Sequence, residues 1–329
     1  MKWLLTLLLL TLPANAQNAK TPLPQIAFPL DCTLGKDCWV VNTVDTDPAK
    51  DSAKDFQCGA KTYDNHKGTD FAIRSRTEME KGVNVLAVKN GKVLRLRNTE
   101  DDTYKTKEQQ KSITAANKDC GNGIIIDHGQ GLQSYYCHLK QNSIRVKIGD
   151  EVKAGQPIAQ IGHSGFTQFP HLHLTILWEG GHIDPFTGHL MEEGCGKFKD
   201  NMWHPDITPE PIAIFDGGFT NTAPDFSIIK ASKHVHPETL SKTGHALVYW
   251  AGFYHSQASD KITLTITDPN GKIFAKREAT LEKSQIRAYQ YTGRTLAGKD
   301  MPAGIYTGTI TFERNDHPVK TQIHTTELK

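Results

Sequence analysis

Short apolar runs separated by tight, glycine-containing turns fill this chain and restrict it to a β-rich fold. Between residues 84 and 175 the runs are rich in β-branched side chains and are too short for helices. Asn90-Gly91 predicts one hairpin turn, and residues 128–131 predict a second. Residues 98–119 are almost entirely polar and are interpreted as an inserted surface loop or short helix. The predicted fold class is all-β, with a mainly antiparallel sheet.

The N-terminus has the pattern of a secretory signal. One lysine is followed by an apolar run of about nine residues and then by the triplet Ala14-Asn15-Ala16, which predicts cleavage after Ala16. The run is too short to cross a bilayer, which takes about 20 apolar residues, and the sequence has no other long apolar stretch. The short leader with its Ala14-Asn15-Ala16-Gln17 junction is typical of bacteria. We therefore predict an exported bacterial protein, periplasmic or secreted, without a transmembrane segment.

The cysteines agree with export, because six of them without a Cys-x-x-Cys pair favour disulfides over a thiolate zinc site. If residues 128–131 turn a hairpin, Cys120 and Cys137 face each other across it, and we predict that they are bonded. The other pairs we expect are Cys32–Cys38 and Cys58–Cys195.

The overall charge excludes one class of partner. The chain has 38 Lys and Arg residues against 36 Asp and Glu residues, a formal net charge of +2. Neutralising a row of phosphates takes an excess of basic residues on one face, so we expect no nucleic acid as a partner. The sequence favours no particular oligomeric state.

Two histidine motifs offer metal ligands. His66 and Asp70 are separated by three residues, and His171 and His173 alternate along one predicted strand. Alternate residues of a strand point to the same face, so both imidazoles can face a cleft that the His66–Asp70 turn also reaches. Two imidazoles and one carboxylate suit Zn²⁺, whose hydrolytic sites take three protein ligands and leave a fourth position for water.

Five blocks between Asp64 and Pro185 resemble, in order, the motifs of the lysostaphin-type peptidoglycan endopeptidases, the zinc-dependent HxxxD/HxH metallopeptidase family. The blocks are HKGTDFAI, GVNVLAVKNGKVL, CGNGIIIDHGQGLQSYYCHL, IGDEVKAGQPIAQIGHSGFTQFPHLHL and HIDP. The resemblance implies a mostly antiparallel β-sheet with a long groove, which suits an extended peptide.

The resemblance also implies residue roles. The family's zinc ligands fall on His66, Asp70 and His173, with one Zn²⁺ per chain. Its two other site histidines, the catalytic pair, fall on His138 and His171, which line the site without binding the metal. A histidine beside a zinc-activated water can accept its proton and later protonate the leaving amine, while a second imidazole can stabilise the developing oxyanion.

All six cysteines precede residue 196, and this uneven distribution divides the chain. Prolines in a polar setting mark a linker, and the alternating strands after it predict a β-sandwich of about 100 residues. Because the sandwich supplies no site residue, we expect a chain that ends near Pro205 to bind zinc. The predicted parts are a signal peptide (1–16), an N-terminal extension with disulfide-forming cysteines (17–60), a zinc metalloendopeptidase domain (61–195), a linker (196–211) and a β-sandwich domain (212–329).

These features predict an exported zinc metalloendopeptidase that hydrolyses amide bonds in the stem peptides or crossbridges of peptidoglycan. The alternative is a metal-stabilised cell-wall-binding or regulatory protein that does not cleave. The resemblance implies that such degenerate relatives lose one or more site residues, whereas all five are present here. A third hypothesis, an adhesin built on the terminal sandwich, has no sequence feature in its favour.

Overall fold

The computed structural model of the protein describes residues 23–198, 200–225, 229, 237–296 and 301–329. The predicted signal peptide, residues 1–16, lies outside the described residues. Within the described part, every helix is too short or too polar to span a membrane.

The described chain is mostly β, as predicted. Its two α-helices are short: α1 covers Arg76–Lys81 and α2 covers Lys107–Ala115. The strands of the first part are β1 Cys38–Asn42, β2 Thr69–Ile73, β3 Asn84–Leu86, β4 Gly91–Arg97, β5 Asn122–Asp127, β6 Leu132–Leu139, β7 Glu151–Val152, β8 Pro157–Gln160, β9 His171–Trp178, β10 Gly181–Asp184 and β11 His189–Leu190.

Most of these strands form one antiparallel sheet in the order β1-β2-β9-β6-β5-β4-β7. In addition, β10 pairs with β9, and β11 pairs with β10. Leu172 and Leu174 of β9 and Tyr136 of β6 belong to the buried core of this part. The side chains that alternate with them on β9, His171 and His173, point to the other face. The sheet thus has one face for the core and one face for the two histidines.

The two predicted hairpins have different outcomes. β5 and β6 pair across residues 128–131, as predicted. The prediction at Asn90-Gly91 is wrong, because β3 pairs with β8, while β4 pairs with β5 and β7. Oδ1 of Asn90 accepts the backbone N–H of Ala154 at 2.9 Å, and this bond ties the loop to the segment between β7 and β8.

The polar segment 98–119 contains helix α2, which agrees with the predicted surface insertion. Thr106 caps the helix, and none of the helical residues is buried. Asp102 in the same segment accepts the backbone N–H groups of His163 at 2.7 Å and Gln141 at 2.8 Å. These two bonds fix the start of the insertion against the rest of the domain.

The six cysteines form the three predicted disulfides, Cys32–Cys38, Cys58–Cys195 and Cys120–Cys137. The register of the hairpin is not the predicted one, because Ile125 faces Tyr135. Cys120 therefore lies before the start of β5 and not opposite Cys137. Gly121, with φ of +61°, turns the chain so that Cys120 still reaches its partner.

The last part of the chain consists of two packed sheets, which agrees with the predicted sandwich. One sheet has the order β12-β14-β17 and the other β13-β19-β18-β15-β16, and side chains such as Tyr249, Phe253 and Phe312 form the buried core of this part. The strands are β12 Ala213–Thr220, β13 Thr239–Leu240, β14 Ala246–Ser256, β15 Lys261–Thr267, β16 Ile273–Thr280, β17 Gln285–Thr295, β18 Gly304–Arg314 and β19 His317–Leu328.

A third buried cluster joins the two parts of the chain. Strand β1 is covered on both faces: Val40 belongs to the core of the first part, whereas Trp39 and Val41 share a cluster with Trp250 and Tyr254 of β14. All five side chains are at most 4% exposed. The sandwich therefore completes the burial of a strand that pairs directly with β2.

Asp184, at the end of β10, is a buried carboxyl group with few partners. Its Oδ1 accepts the backbone N–H of Phe186 at 2.8 Å, and its Oδ2 has no hydrogen-bond partner among the described residues. Burial raises the pKa of Asp184 to about 7, and the carboxylate of Asp55 acts in the same direction. The native state therefore keeps this proton at pH values where the unfolded chain has released it.

We expect Asp184→Asn to flatten the pH dependence of the free energy of unfolding. Because the pKa is higher in the native state, stability falls as the pH rises toward 7, and at about 1.4 kcal/mol per pH unit the loss between about pH 5 and pH 8 is about 3 kcal/mol. Denaturant unfolding at both pH values measures it, with the exposed Asp206→Asn as control. Parallel pH profiles for Asp184→Asn and the unmodified protein would contradict this expectation.

Candidate metal centre

The predicted ligands meet on the face of the sheet opposite the core. Asp70 of β2 lies directly across from His173 of β9 in the antiparallel register. His171 precedes His173 by two residues and shares its face, and His66 lies in the loop before β2. His66, Asp70 and His171 are buried, whereas His173 is half-buried.

Three candidate ligand atoms form a close triangle. Nε2 of His66 lies 3.1 Å from Oδ1 of Asp70 and 3.1 Å from Nδ1 of His173, and the last two atoms are 2.8 Å apart. Ligand atoms placed at about 2.0–2.1 Å around a tetrahedral Zn²⁺ are roughly 3.3 Å from one another. The three residues therefore fit a single ion of this size.

Contacts behind the triangle set the orientation of both imidazoles. Nδ1 of His66 donates to the carbonyl of Thr43 at 2.7 Å, so in the neutral ring Nε2 is the nitrogen with the free lone pair, and it faces the triangle. Nε2 of His173 lies 3.0 Å from Oγ1 of Thr175, to which it donates when Nδ1 is the ligand. A Cβ atom at Gly68 would lie 2.7 Å from Nε2 of His173, so only glycine leaves room for this ring.

His138 reaches the site through a local change in the backbone. On β6, Tyr136 points to the core and Cys137, which lies across from His173, points to the other face. Regular alternation would direct His138 to the core. Its φ of +62° rotates the side chain about the N–Cα bond to the site face, where its ring centroid is 4.7 Å from that of His171.

His138 and His171 are both buried and both carry their proton on Nδ1. Nδ1 of His138 donates to the carbonyl of Ser164 at 2.9 Å, and Nδ1 of His171 donates to that of Phe169 at 2.8 Å. Nε2 of His171 lies 3.6 Å from Oδ1 of Asp70. Burial and the neighbouring imidazoles hold the pKa of His138 well below its usual range, and burial lowers the pKa of His171. Both rings are therefore neutral proton acceptors.

A cavity of about 610 Å³ opens beside these side chains. One wall carries Asp70, His138 and His171, and the facing residues 283–287 belong to the turn before β17 and to its first residues. The sandwich thus lines the cavity, although it contains none of the five predicted site residues.

Two further residues of the site carry no motif that the sequence could reveal. Asn42 of β1 donates from Nδ2 to Oδ2 of Asp70 at 2.8 Å, across the β1–β2 register. The ring of Tyr63 lies 4.4 Å from that of His66, and its side chain lines the cavity. Tyr63 lies just before the histidine motif, whereas Asn42 is on β1, and the pairing of β1 with β2 brings it to the carboxylate.

Residues 64–185 match the family model of Peptidase family M23. The peptidoglycan DD-endopeptidase ShyC of Vibrio cholerae serotype O1 is 38% identical over 84 residues, which are 25% of this chain and 19% of that protein. The murein hydrolase activator EnvC of Escherichia coli K12 is 37% identical over 62 residues, which are 19% of this chain and 14% of that protein.

Among solved structures, a zinc-containing peptidase from Vibrio cholerae aligns with a TM-score of 0.30 and 25% identity, over 47% of this chain and 41% of that one. The chain spans less than a quarter of the length of each of the two curated relatives named above.

Proposed function

We propose that residues 64–185, a domain of Peptidase family M23, hydrolyse amide bonds in the stem peptides or crossbridges of peptidoglycan with one bound Zn²⁺. The observation that carries this proposal is the ligand triangle of His66, Asp70 and His173 beside two neutral imidazoles in a cavity. A metal that only stabilised the fold would not require two proton-accepting imidazoles beside it. Neutral imidazoles beside a metal suit hydrolysis.

The chain's own residues supply the proton transfers that amide hydrolysis needs. A bound Zn²⁺ lowers the pKa of a water toward 7 and polarises a carbonyl group, and His66, Asp70 and His173 are the residues that would hold it. His138 and His171 present unprotonated Nε2 atoms, which can take the proton of the attacking water and return it to the leaving amine. Once protonated, an imidazole can also stabilise the negative charge that develops on the carbonyl oxygen.

The proposed substrate agrees with the other features of the chain. Three disulfides suit an oxidising compartment outside the cytoplasm, and the predicted signal peptide would bring the protein there. We assign residues 61–195 to the metalloendopeptidase domain, 196–211 to the linker and 212–329 to the sandwich. The partner is then the peptide component of the bacterial cell wall.

Digestion of purified peptidoglycans of different crossbridge chemistry with the full chain tests the proposal. We expect fragments whose masses correspond to cleavage at one type of amide bond, no release after chelation of zinc, and recovery when Zn²⁺ is restored. His173→Ala is the matched control for metal-dependent release. Absence of new fragments from every peptidoglycan with zinc-loaded protein would contradict the proposal.

The similarity to a murein hydrolase activator favours a second candidate, a regulatory protein that does not cleave. Such a protein would release no fragments alone but would raise the rate at which a separate wall hydrolase releases them. His171→Ala would keep that effect, because an activator has no use for a proton acceptor. If the chain is itself the enzyme, the same variant should lose fragment release. Fragment release by His171→Ala therefore distinguishes the two candidates.

A further inference from the structure

A guanidinium group that the proposed mechanism does not use lies in the wall of the cavity that faces the ligands. Arg287 is on β17, and its Cζ lies 5.3 Å from the ring centroid of Phe169, 4.8 Å from that of Phe215 and 5.9 Å from that of Tyr254. Phe169 belongs to the first part of the chain, and the other two rings belong to the sandwich. Stacking on aromatic faces fixes a guanidinium while its charge stays available.

No protein group in the described part of the chain neutralises Arg287. Its Nε and Nη1 are buried there without a hydrogen-bond partner, and no carboxylate of the described residues is ion-paired with it. Lys283 lines the same cavity, so this wall carries two positive groups, whereas the facing wall has the single carboxylate of Asp70, a proposed metal ligand. With a divalent cation in place the cavity has an excess of positive charge. It is therefore suited to an anionic ligand.

We infer that Arg287 is a specificity-determining residue that binds a free carboxylate of the peptide substrate; this inference rests on the proposed function. Phe169 contacts His171 with ring centroids 4.9 Å apart and contacts Arg287 at 5.3 Å, so it bridges His171 and the guanidinium. Added together, these two separations equal the length of about three residues of extended peptide, at roughly 3.3 Å per residue. The preferred substrate therefore carries a free carboxylate within about three residues of the amide that is cut.

The test compares two crosslinked stem-peptide fragments that differ in one respect: one has free carboxylates, and the other has them converted to carboxamides. For the unmodified protein we expect kcat/KM to be about 10- to 100-fold higher for the free acid, as charge-assisted hydrogen bonds give. In Arg287→Gln the ratio should fall toward about 1, and in Arg287→Lys it should be intermediate, because a point charge cannot replace the stacked, planar group. Arg294→Gln, at an exposed position of the same strand, should keep the full ratio.

Calorimetric binding of the same two fragments to zinc-depleted protein separates this inference from the proposed function. Tighter binding of the free acid by the unmodified protein, lost in Arg287→Gln, supports the inference even if neither fragment is cleaved, a result that contradicts the proposed function alone. Cleavage of both fragments at equal kcat/KM by the unmodified protein overturns the inference and leaves the proposed function standing. Equal or undetectable binding of both fragments, without discrimination in cleavage, also overturns it. The comparison of the two fragments on the unmodified protein tests the inference even if a variant fails to fold.

Discussion

Replacement of His66, Asp70 or His173 by alanine is expected to remove bound zinc and peptidoglycan cleavage together. Each residue supplies one corner of a triangle whose edges are 2.8–3.1 Å, and a hydrolytic zinc site needs three protein ligands. With two ligands left, the activation of water that depends on the ion is lost, and we expect cleavage to fall to the background. Zinc content by elemental analysis and fragment release measure the two effects in the same samples.

Alanine at His138 or His171 should instead leave zinc content unchanged and lower kcat by about 10²–10⁴-fold, the range for a group that transfers protons. Both side chains lie beside the triangle with a backbone carbonyl on Nδ1, and neither supplies one of its three atoms. These two variants are the matched controls for the three ligand variants. Loss of zinc from His171→Ala with retention in His173→Ala would reverse the assignment of ligand and proton acceptor.

Removal of the sandwich is expected to destabilise the first part of the chain and to impair zinc binding, contrary to what the sequence predicts. A chain that ends near Pro205 exposes Trp39 and Val41, which are at most 3% exposed in the full protein. Fully burying one large apolar side chain is worth about 1.5–3 kcal/mol, so losing two such burials removes a large share of a typical stability of about 5–15 kcal/mol. We expect a lower unfolding temperature and self-association, measured by thermal unfolding and sedimentation.

A shortened chain that carries Trp39→Ser and Val41→Thr provides the control for this effect. If exposure of the β1 face causes the self-association, these two polar replacements should reduce it without restoring the cavity wall. A shortened chain that is monomeric, binds zinc fully and unfolds at the temperature of the full protein would show that the sandwich is dispensable, as the sequence predicts.

The shared face of His171 and His173 could be predicted from the sequence because it depends only on local strand geometry. His171 and His173 are two residues apart on a strand, so they share a face whatever the sheet contains. The resemblance to a known family then pointed to Asp70 and His66 as their partners. The antiparallel pairing of β2 with β9 brings Asp70 across from His173, as that assignment requires.

Other features could not be predicted, because they depend on contacts between segments far apart in the chain. The loop at Asn90 is fixed by Ala154, and this contact outweighs the local preference of Asn-Gly for a hairpin. The position of Arg287 in the cavity depends on the packing of the sandwich against β1. No local sequence pattern predicts this packing. The face to which His138 points depends on a single φ angle.

That angle at His138 has a consequence for how stability and reactivity are balanced in this fold. The backbone there is held from both sides, since its N–H donates to Cys120 at 2.8 Å and its carbonyl accepts from Gly162 at 3.0 Å. The left-handed conformation costs a residue with a Cβ atom about 1–2 kcal/mol, whereas glycine adopts it freely. Selection for a robust fold alone would place glycine or asparagine at position 138. Under the proposed function, this backbone strain is the cost of turning an imidazole toward the candidate metal centre, and such strain is often found at functional sites.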